Sequence, residues 1–136
     1  MPMFLDCREH ALIDRMIDLM PGVEVKHLTL GDISIEINGK EVALIVRKTL
    51  ADLAASITDG RYRELSERLT ACDIPNHNVV YLIEGSFKNY HQSMPKKRLM
   101  ESMVSLLYGK GFSVVRTESV QETVEFLEVM FEKLQK

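Results

Sequence analysis

The sequence predicts one α/β domain, a mixed central β-sheet with helices on both sides. Three observations lead there. Short apolar runs of strand character alternate with segments whose apolar residues repeat at helical spacing. Asn38-Gly39, a strong hairpin signal, sits between two such runs. The 136 residues, 46% of them hydrophobic, are enough for a single sizeable core, so residues 1–136 read as one domain.

Met3-Phe4-Leu5 is an apolar run ending at Asp6, and Ala11, Leu12, Met16, Ile17, Leu19 and Met20 follow at helical spacing: strand, then helix. Pro21-Gly22 stops that helix, and Val23 to Leu28 reads as a second strand in which Val23 and Val25 alternate with Glu24 and Lys26. Ile33, Ile35 and Ile37 alternate with Ser34 and Glu36 before the Asn38-Gly39 turn; Val42 to Val46 is then apolar on both parities, as expected of a strand buried on both faces. Thr49 caps a helix carrying Leu50, Leu53, Ala54 and Ile57 that ends near Asp59-Gly60, and Tyr62, Leu65, Leu69 and Cys72 mark the next. Val79 to Ile83 is a fully apolar strand, followed by the polar loop Ser86 to Pro95 and a helix with Leu99, Met103, Leu106 and Leu107. Phe112 to Val115 is a last short strand. Ser119 with Glu122 forms a capping box for a final helix striped by Val120, Val124, Leu127, Phe131 and Leu134.

The formal charge of -3 provides no global basic field, so any nucleic-acid contact has to be local. Lys88 and His91, and Lys96-Lys97-Arg98 at a helix start, are the local basic features; a solvated helix end explains them equally well. Cys7 and Cys72 lack metal-ligand spacing and read as reduced thiols in small core positions of an intracellular protein. His10, His27, His77 and His91 also lack such spacing. No apolar run approaches the roughly 20 residues of a membrane span, and Asp6, Arg8 and Glu9 come too early for a signal peptide, so no membrane partner is expected.

Polar groups at strand ends are where an α/β scaffold delivers chemistry. Asp6, Arg8, Glu9, Asp32, Arg47, Lys48, Asp52, Arg61 and Glu84 stand in such places. Carboxylates converging from separate strands suit a hard cation, and a lysine beside them can steady an attacking water. Each residue alone has an ordinary structural explanation: caps at strand and helix ends, Asp52 neutralising Lys48, Arg61 pairing with Glu64 or Asp59. Register matters too. A strict two-residue turn at Asn38-Gly39 sets Asp32 opposite Ile45, whereas a bulged loop or equivalent kink sets it opposite Val46; the side-chain pattern favours the first.

Together these residues resemble the nuclease domain of the XPF family of structure-specific endonucleases, including its Mus-type and Hef-type members. Asp6-Cys7-Arg8-Glu9 is similar to the family's D-x-R-E opening, and Gly31-Asp32 to its G-D step. Val46-Arg47-Lys48 with Asp52 stands where the family has E-R-K-x-x-x-D. Ser56 to Arg61 resembles S-I-x-D-G-R, and Tyr81 to Gly85 resembles Y-L-I-E-G. The resemblance implies a restriction-endonuclease-like core that binds Mg²⁺ or Mn²⁺ and cuts branched DNA at flaps, forks or nicked junctions, in the nucleus or the cytoplasm. It implies a metal ligand in Asp32, with Asp6 and Glu9 beside it holding metal directly or through water, and Lys48 orienting water or stabilising phosphate charge. Arg8, Arg47 and Arg61 would contact phosphate or brace carboxylates, with Asp52 and Ser56 in support.

The departure is Val46, which stands where the family has a metal-binding glutamate and offers no oxygen. Val is also an ordinary end to a buried strand, and Glu41 lies roughly 16 Å along it, too far to substitute. Two readings follow: a nuclease disabled at this one position, or a non-catalytic nuclease-fold subunit that positions a partner nuclease or branched DNA. No helix-hairpin-helix segment follows Leu134, so weak DNA affinity is expected of the chain alone. The wide apolar face of the last helix, with Phe126, Val129 and Met130, and the helix around Met100 and Met103 predict a homodimer or heterodimer through the C-terminal helices.

Overall fold

A computed structural model describes residues 2–135. Six strands, β1 (Met3–Asp6), β2 (Val23–Lys26), β3 (Ile33–Ile37), β4 (Lys40–Thr49), β5 (Val79–Glu84) and β6 (Ser113–Thr117), form one sheet in the order β2-β1-β3-β4-β5-β6. The helices are α1 (His10–Met16), α2 (Leu50–Asp59), α3 (Arg61–Ala71), α4 (Lys96–Val104) and α5 (Val120–Leu134). The mixed sheet and the element order are those the sequence predicts.

Only β3 runs against the other strands: β1 pairs parallel with β2, β4 with β5 and β5 with β6, while β3 is antiparallel to β1 and β4. One sheet edge therefore gathers the C-terminal ends of five strands and the N-terminal end of β3. Strand alternation divides the apolar residues into two cores. Leu5, Ile33, Ile35, Ile45 and Leu82 pack on one face with Leu12 and Met16 of α1 and Val124, Leu127 and Phe131 of α5. Leu44, Val46, Tyr81 and Ile83 pack on the other with Leu50 and Leu53 of α2, Leu69 of α3 and Leu99 of α4.

Local chemistry fixes the boundaries. The Thr49 hydroxyl accepts from the Asp52 N–H, and Gly60, at φ +86°, turns α2 into α3 in the left-handed region that glycine favours. Ser119 caps α5 through the Glu122 N–H, while the Glu122 carboxylate accepts from the Glu118 N–H. Helix α1 ends at Met16, short of the expected Met20, and Leu19 is left exposed. After α4 the backbone widens into a π turn over Ser105–Gly109, and the Lys110 N–H closes it on the Ser105 carbonyl.

Two expectations are corrected. Asn38-Gly39 does make a strict two-residue turn, both residues at positive φ, joining Ile37 to Lys40. One residue later the register slips: Glu36 faces Glu41 but Ile35 faces Ala43, so Val42 is the extra residue of a bulge. Ile33 and Ile35 consequently oppose Ile45 and Ala43, not Leu44 and Val42, and Asp32 comes opposite Val46. Cys7, expected in the core, is exposed at the turn after β1, while Cys72 is half-buried with its thiol donating to the Leu69 carbonyl.

Candidate active site at the sheet edge

The shared edge carries Asp6 from β1, Asp32 from the residue before β3, Val46, Arg47 and Lys48 from β4, and Glu84 from β5. Asp32 is tied in from both sides. Its N–H donates to the Ile45 carbonyl (2.9 Å), its carbonyl accepts from the Asp6 N–H (2.9 Å), and its Oδ2 accepts from the Arg47 N–H (2.8 Å). Gly31 permits this approach: at φ +77°, a Cβ there would lie 2.5 Å from Leu44 Cδ1. Burial pushes the Asp32 carboxyl up, the Arg47 N–H and the Lys48 ammonium pull it down, and the Asp6 charge raises it again; the balance is upward. Glu9 is likewise raised, by burial first and then by the Asp32 charge, against Arg47. Carboxyls crowded at the cost of easy ionisation are a recurrent feature of cation-binding and catalytic sites.

Alternation along β4 divides its three polar-end residues between the faces. Val46 and Lys48 share the face of Asp32; Arg47 points to the other. There its Nε and Nη2 donate to Glu84 Oε1 and Oε2 (2.9 and 2.7 Å), and its Nη1 donates to Glu9 (3.0 Å). The Thr123 hydroxyl of α5 donates to Glu84 Oε1 (2.6 Å), which leaves the Thr117 hydroxyl as donor to Thr123 (2.7 Å). Arg47 thus holds two carboxylates, and Glu84, Thr117 and Thr123 extend the network to β5, β6 and α5. The two threonines lie outside every motif, and no spacing signal links them to Glu84.

Asp6, only 1% exposed, is also held rather than presented. Its Oδ1 accepts from the Leu28 N–H (2.8 Å) and its Oδ2 from Arg8 Nε (2.6 Å) and the Arg8 N–H. Burial opposes ionisation, but these donors outweigh it and keep the carboxyl below its ordinary value. Lys48 is half-buried and makes no ion pair among the described residues. Asp52 is exposed and likewise forms no ion pair with Lys48. Arg61 pairs with Asp59 at the surface (2.8 Å), and the Lys48 charge helps to lower the Asp59 carboxyl. Ser56 is buried, its hydroxyl spent on the Leu53 carbonyl inside α2. Val46 is 1% exposed, packed among the apolar residues beside Tyr81.

The arrangement is an acidic sheet edge with one uncommitted lysine, a type of site suited to a hard cation and a phosphate. The chain belongs to the ERCC4 domain family, whose model matches residues 5–130. The "Structure-specific endonuclease subunit MUS81" of Danio rerio is 38% identical over 103 residues, 72% of this chain but 17% of that protein. Among solved structures, "XPF from Aeropyrum pernix" superposes with a TM-score of 0.82 at 24% identity, covering all of this chain and 62% of that one. "XPF from Aeropyrum pernix, complex with DNA" gives 0.78, also at 24% identity, over 98% of this chain and 64% of that one. The chain thus spans about a sixth of the length of the MUS81 relative.

Proposed function

We propose that this is the nuclease domain of a metal-dependent, structure-specific endonuclease acting on branched DNA inside the cell, and that Val46 disables its own cutting. The observation that carries the reading is the convergence of Asp32, position 46 and Lys48 on one face of the sheet edge, brought about by the Val42 bulge. Asp32 has one oxygen on the Arg47 N–H and the other without a protein donor among the described residues, so it can hold Mg²⁺ or Mn²⁺. The donor set is incomplete at Val46, and a glutamate there would supply the second carboxylate. Such a cation would polarise the scissile phosphate and lower the pKa of a bound water. Lys48 would stabilise phosphate charge or orient that water. Asp6, held by Leu28 and Arg8, and Glu9, held by Arg47, contribute field and water-mediated contacts to that cation. Arg8, exposed at the same edge, and Arg61, paired with Asp59, would contact phosphate, with Asp52 and Ser56 in support.

A second reading, a non-catalytic subunit that positions a partner nuclease or branched DNA, is favoured by how completely Val46 packs as a core residue. Either form pairs through its C-terminal region. The exposed apolar residues there are mainly Met100, Val104, Leu107 and Tyr108, on α4 and the π turn that follows. On α5, Phe126, Met130 and Leu134 are half-buried against the core and only Val129 is largely exposed, so the expected interface moves from α5 toward α4.

The test is Val46→Glu, assayed on flap, fork and nicked-junction DNA with Mn²⁺ or Mg²⁺. Cleavage only in the substituted chain, lost again on Lys48→Ala, is expected. A folded Val46→Glu protein that cuts none of these as a dimer at high concentration would sink the disabled-nuclease reading in favour of the scaffold.

A further inference from the structure

Beside the acidic edge, the end of the β1–β2 pair assembles ligands of a different chemical type. In this parallel pair Asp6 faces Lys26, and the Cys7 N–H donates to the Lys26 carbonyl (3.1 Å), so Cys7 and His27 leave their strands side by side. One ligand atom from each of Asp6, Cys7 and His27 falls within 4.8 Å of the others, and His27 Nδ1 is 3.9 Å from Asp6 Oδ1. Cys7 and His27 are twenty positions apart, which hides the grouping from any search for short ligand spacings.

We propose that Asp6, Cys7 and His27 form a second metal site, selective for a borderline-soft cation of the Zn²⁺ type and separate from the hard-cation site at Asp32. A thiolate, an imidazole and a carboxylate make a mixed N/S/O set that favours Zn²⁺ over Mg²⁺, and three protein ligands leave the fourth tetrahedral position to water. The metal–ligand lengths of such sites put donors about 3.3–3.6 Å apart, so the three atoms must close by roughly an ångström. Cys7 and His27 are exposed side chains that can turn to do so, while Asp6 is the fixed corner. Its carboxylate already has the support that metal ligands commonly have: the Leu28 N–H on Oδ1, and Arg8 on Oδ2, which leaves Oδ1 a lone pair for the metal. Binding exchanges the Cys7 thiol proton for the metal and releases it to solvent. The half-buried Cys72 packs against the core beneath α2 and α3, its thiol spent on the Leu69 carbonyl, and takes no part.

The experiment is a Co²⁺ titration of the full reduced chain, followed by absorption, with Cys7→Ser, His27→Ala and Cys72→Ser in parallel and circular dichroism confirming each fold. One equivalent of Co²⁺ should give tetrahedral d–d bands and a thiolate-to-cobalt charge-transfer band, both retained in Cys72→Ser. Zn²⁺ should erase them at stoichiometric addition, and a large excess of Mg²⁺ should not. Cys7→Ser should abolish the charge-transfer band, and His27→Ala should weaken binding at least about tenfold. No bands in the folded parent, bands unchanged in Cys7→Ser, loss in Cys72→Ser, or one metal shared by two chains would each overturn the proposal. None of these outcomes depends on whether the chain cuts DNA, so a failure here is distinguishable from a failure of the nuclease reading.

Discussion

Removing half of the Glu84 carboxylate by Glu84→Gln tests whether Arg47 is a structural brace. Glu84 and Arg47 are 6% and 14% exposed in their side chains, and Glu84 accepts two bonds from the guanidinium and one from Thr123. Breaking a buried ion pair by removing one partner costs about 3–5 kcal/mol, because the remaining charge is left desolvated. The low end applies, since Glu9 stays within reach of Arg47 Nη1 and solvent touches the guanidinium: about 3 kcal/mol. For a domain of this size that is a fall in Tm of roughly 10 °C, given an unfolding entropy of about 2.1 cal/mol/K per residue. Glu9→Gln is the control. It leaves both Arg47–Glu84 bonds in place and relieves a carboxyl that burial and the Asp32 charge already disfavour, so a cost of under about 1 kcal/mol is expected. Urea and thermal unfolding measure both. Equal losses, or a Glu84→Gln cost below that of Glu9→Gln, would refute the brace and return Arg47 to the phosphate-contacting role.

Three further outcomes follow from the same geometry. Val46→Glu buries a carboxylate beside Asp32 at a position now 1% exposed, so the substituted chain should melt lower without metal and recover on adding Mn²⁺, whereas the parent should respond far less; differential scanning fluorimetry decides this. Asp32 has a folded pKa above its ordinary 3.8, so its contribution is fully present below that value and is lost as pH rises through the folded pKa; Asp32→Asn should gain stability relative to the parent in urea melts as pH is raised above 3.8. Leu107→Glu with Tyr108→Glu, on the exposed turn after α4, should turn a dimer into a monomer by light scattering, while Val129→Glu on α5 should not.

The element order was legible because each element keeps its own period: alternation in β3, continuous apolarity in β5, a helical stripe in α5. The site was legible as a set of residue types at strand ends, and only in part as a geometry. The bulge at Val42 is a local backbone choice that no side-chain pattern announces, yet it decides whether Asp32 meets position 46. Pattern did not announce Asp59 as a charge within reach of Lys48 either, because the two are eleven positions apart and meet only once α2 is folded. The extra width of α5 came from real apolar residues, but Phe126 and Met130 spend it on the core beneath. Cys7 failed as a core residue for a similar reason: a thiol at a strand terminus follows the turn outward.

The order of the three residues Val46, Arg47 and Lys48 explains how valine at the first leaves the rest standing. On a strand, successive side chains go to opposite faces, so the middle residue is excluded from the chemistry of its neighbours. Arg47 is therefore available to fasten β4 to β5, α1 and, through Thr123, α5, while its backbone N–H still orients Asp32. Positions 46 and 48 are left to face the site, where 46 closes against the apolar core and 48 reaches its polar rim. An isopropyl group at 46 satisfies the core side of that boundary and fails only the polar side. The brace does not pass through it, so the fold loses nothing by carrying valine, and on the proposed reading a single carboxylate introduced there would have Asp32 on one side and Lys48 on the other.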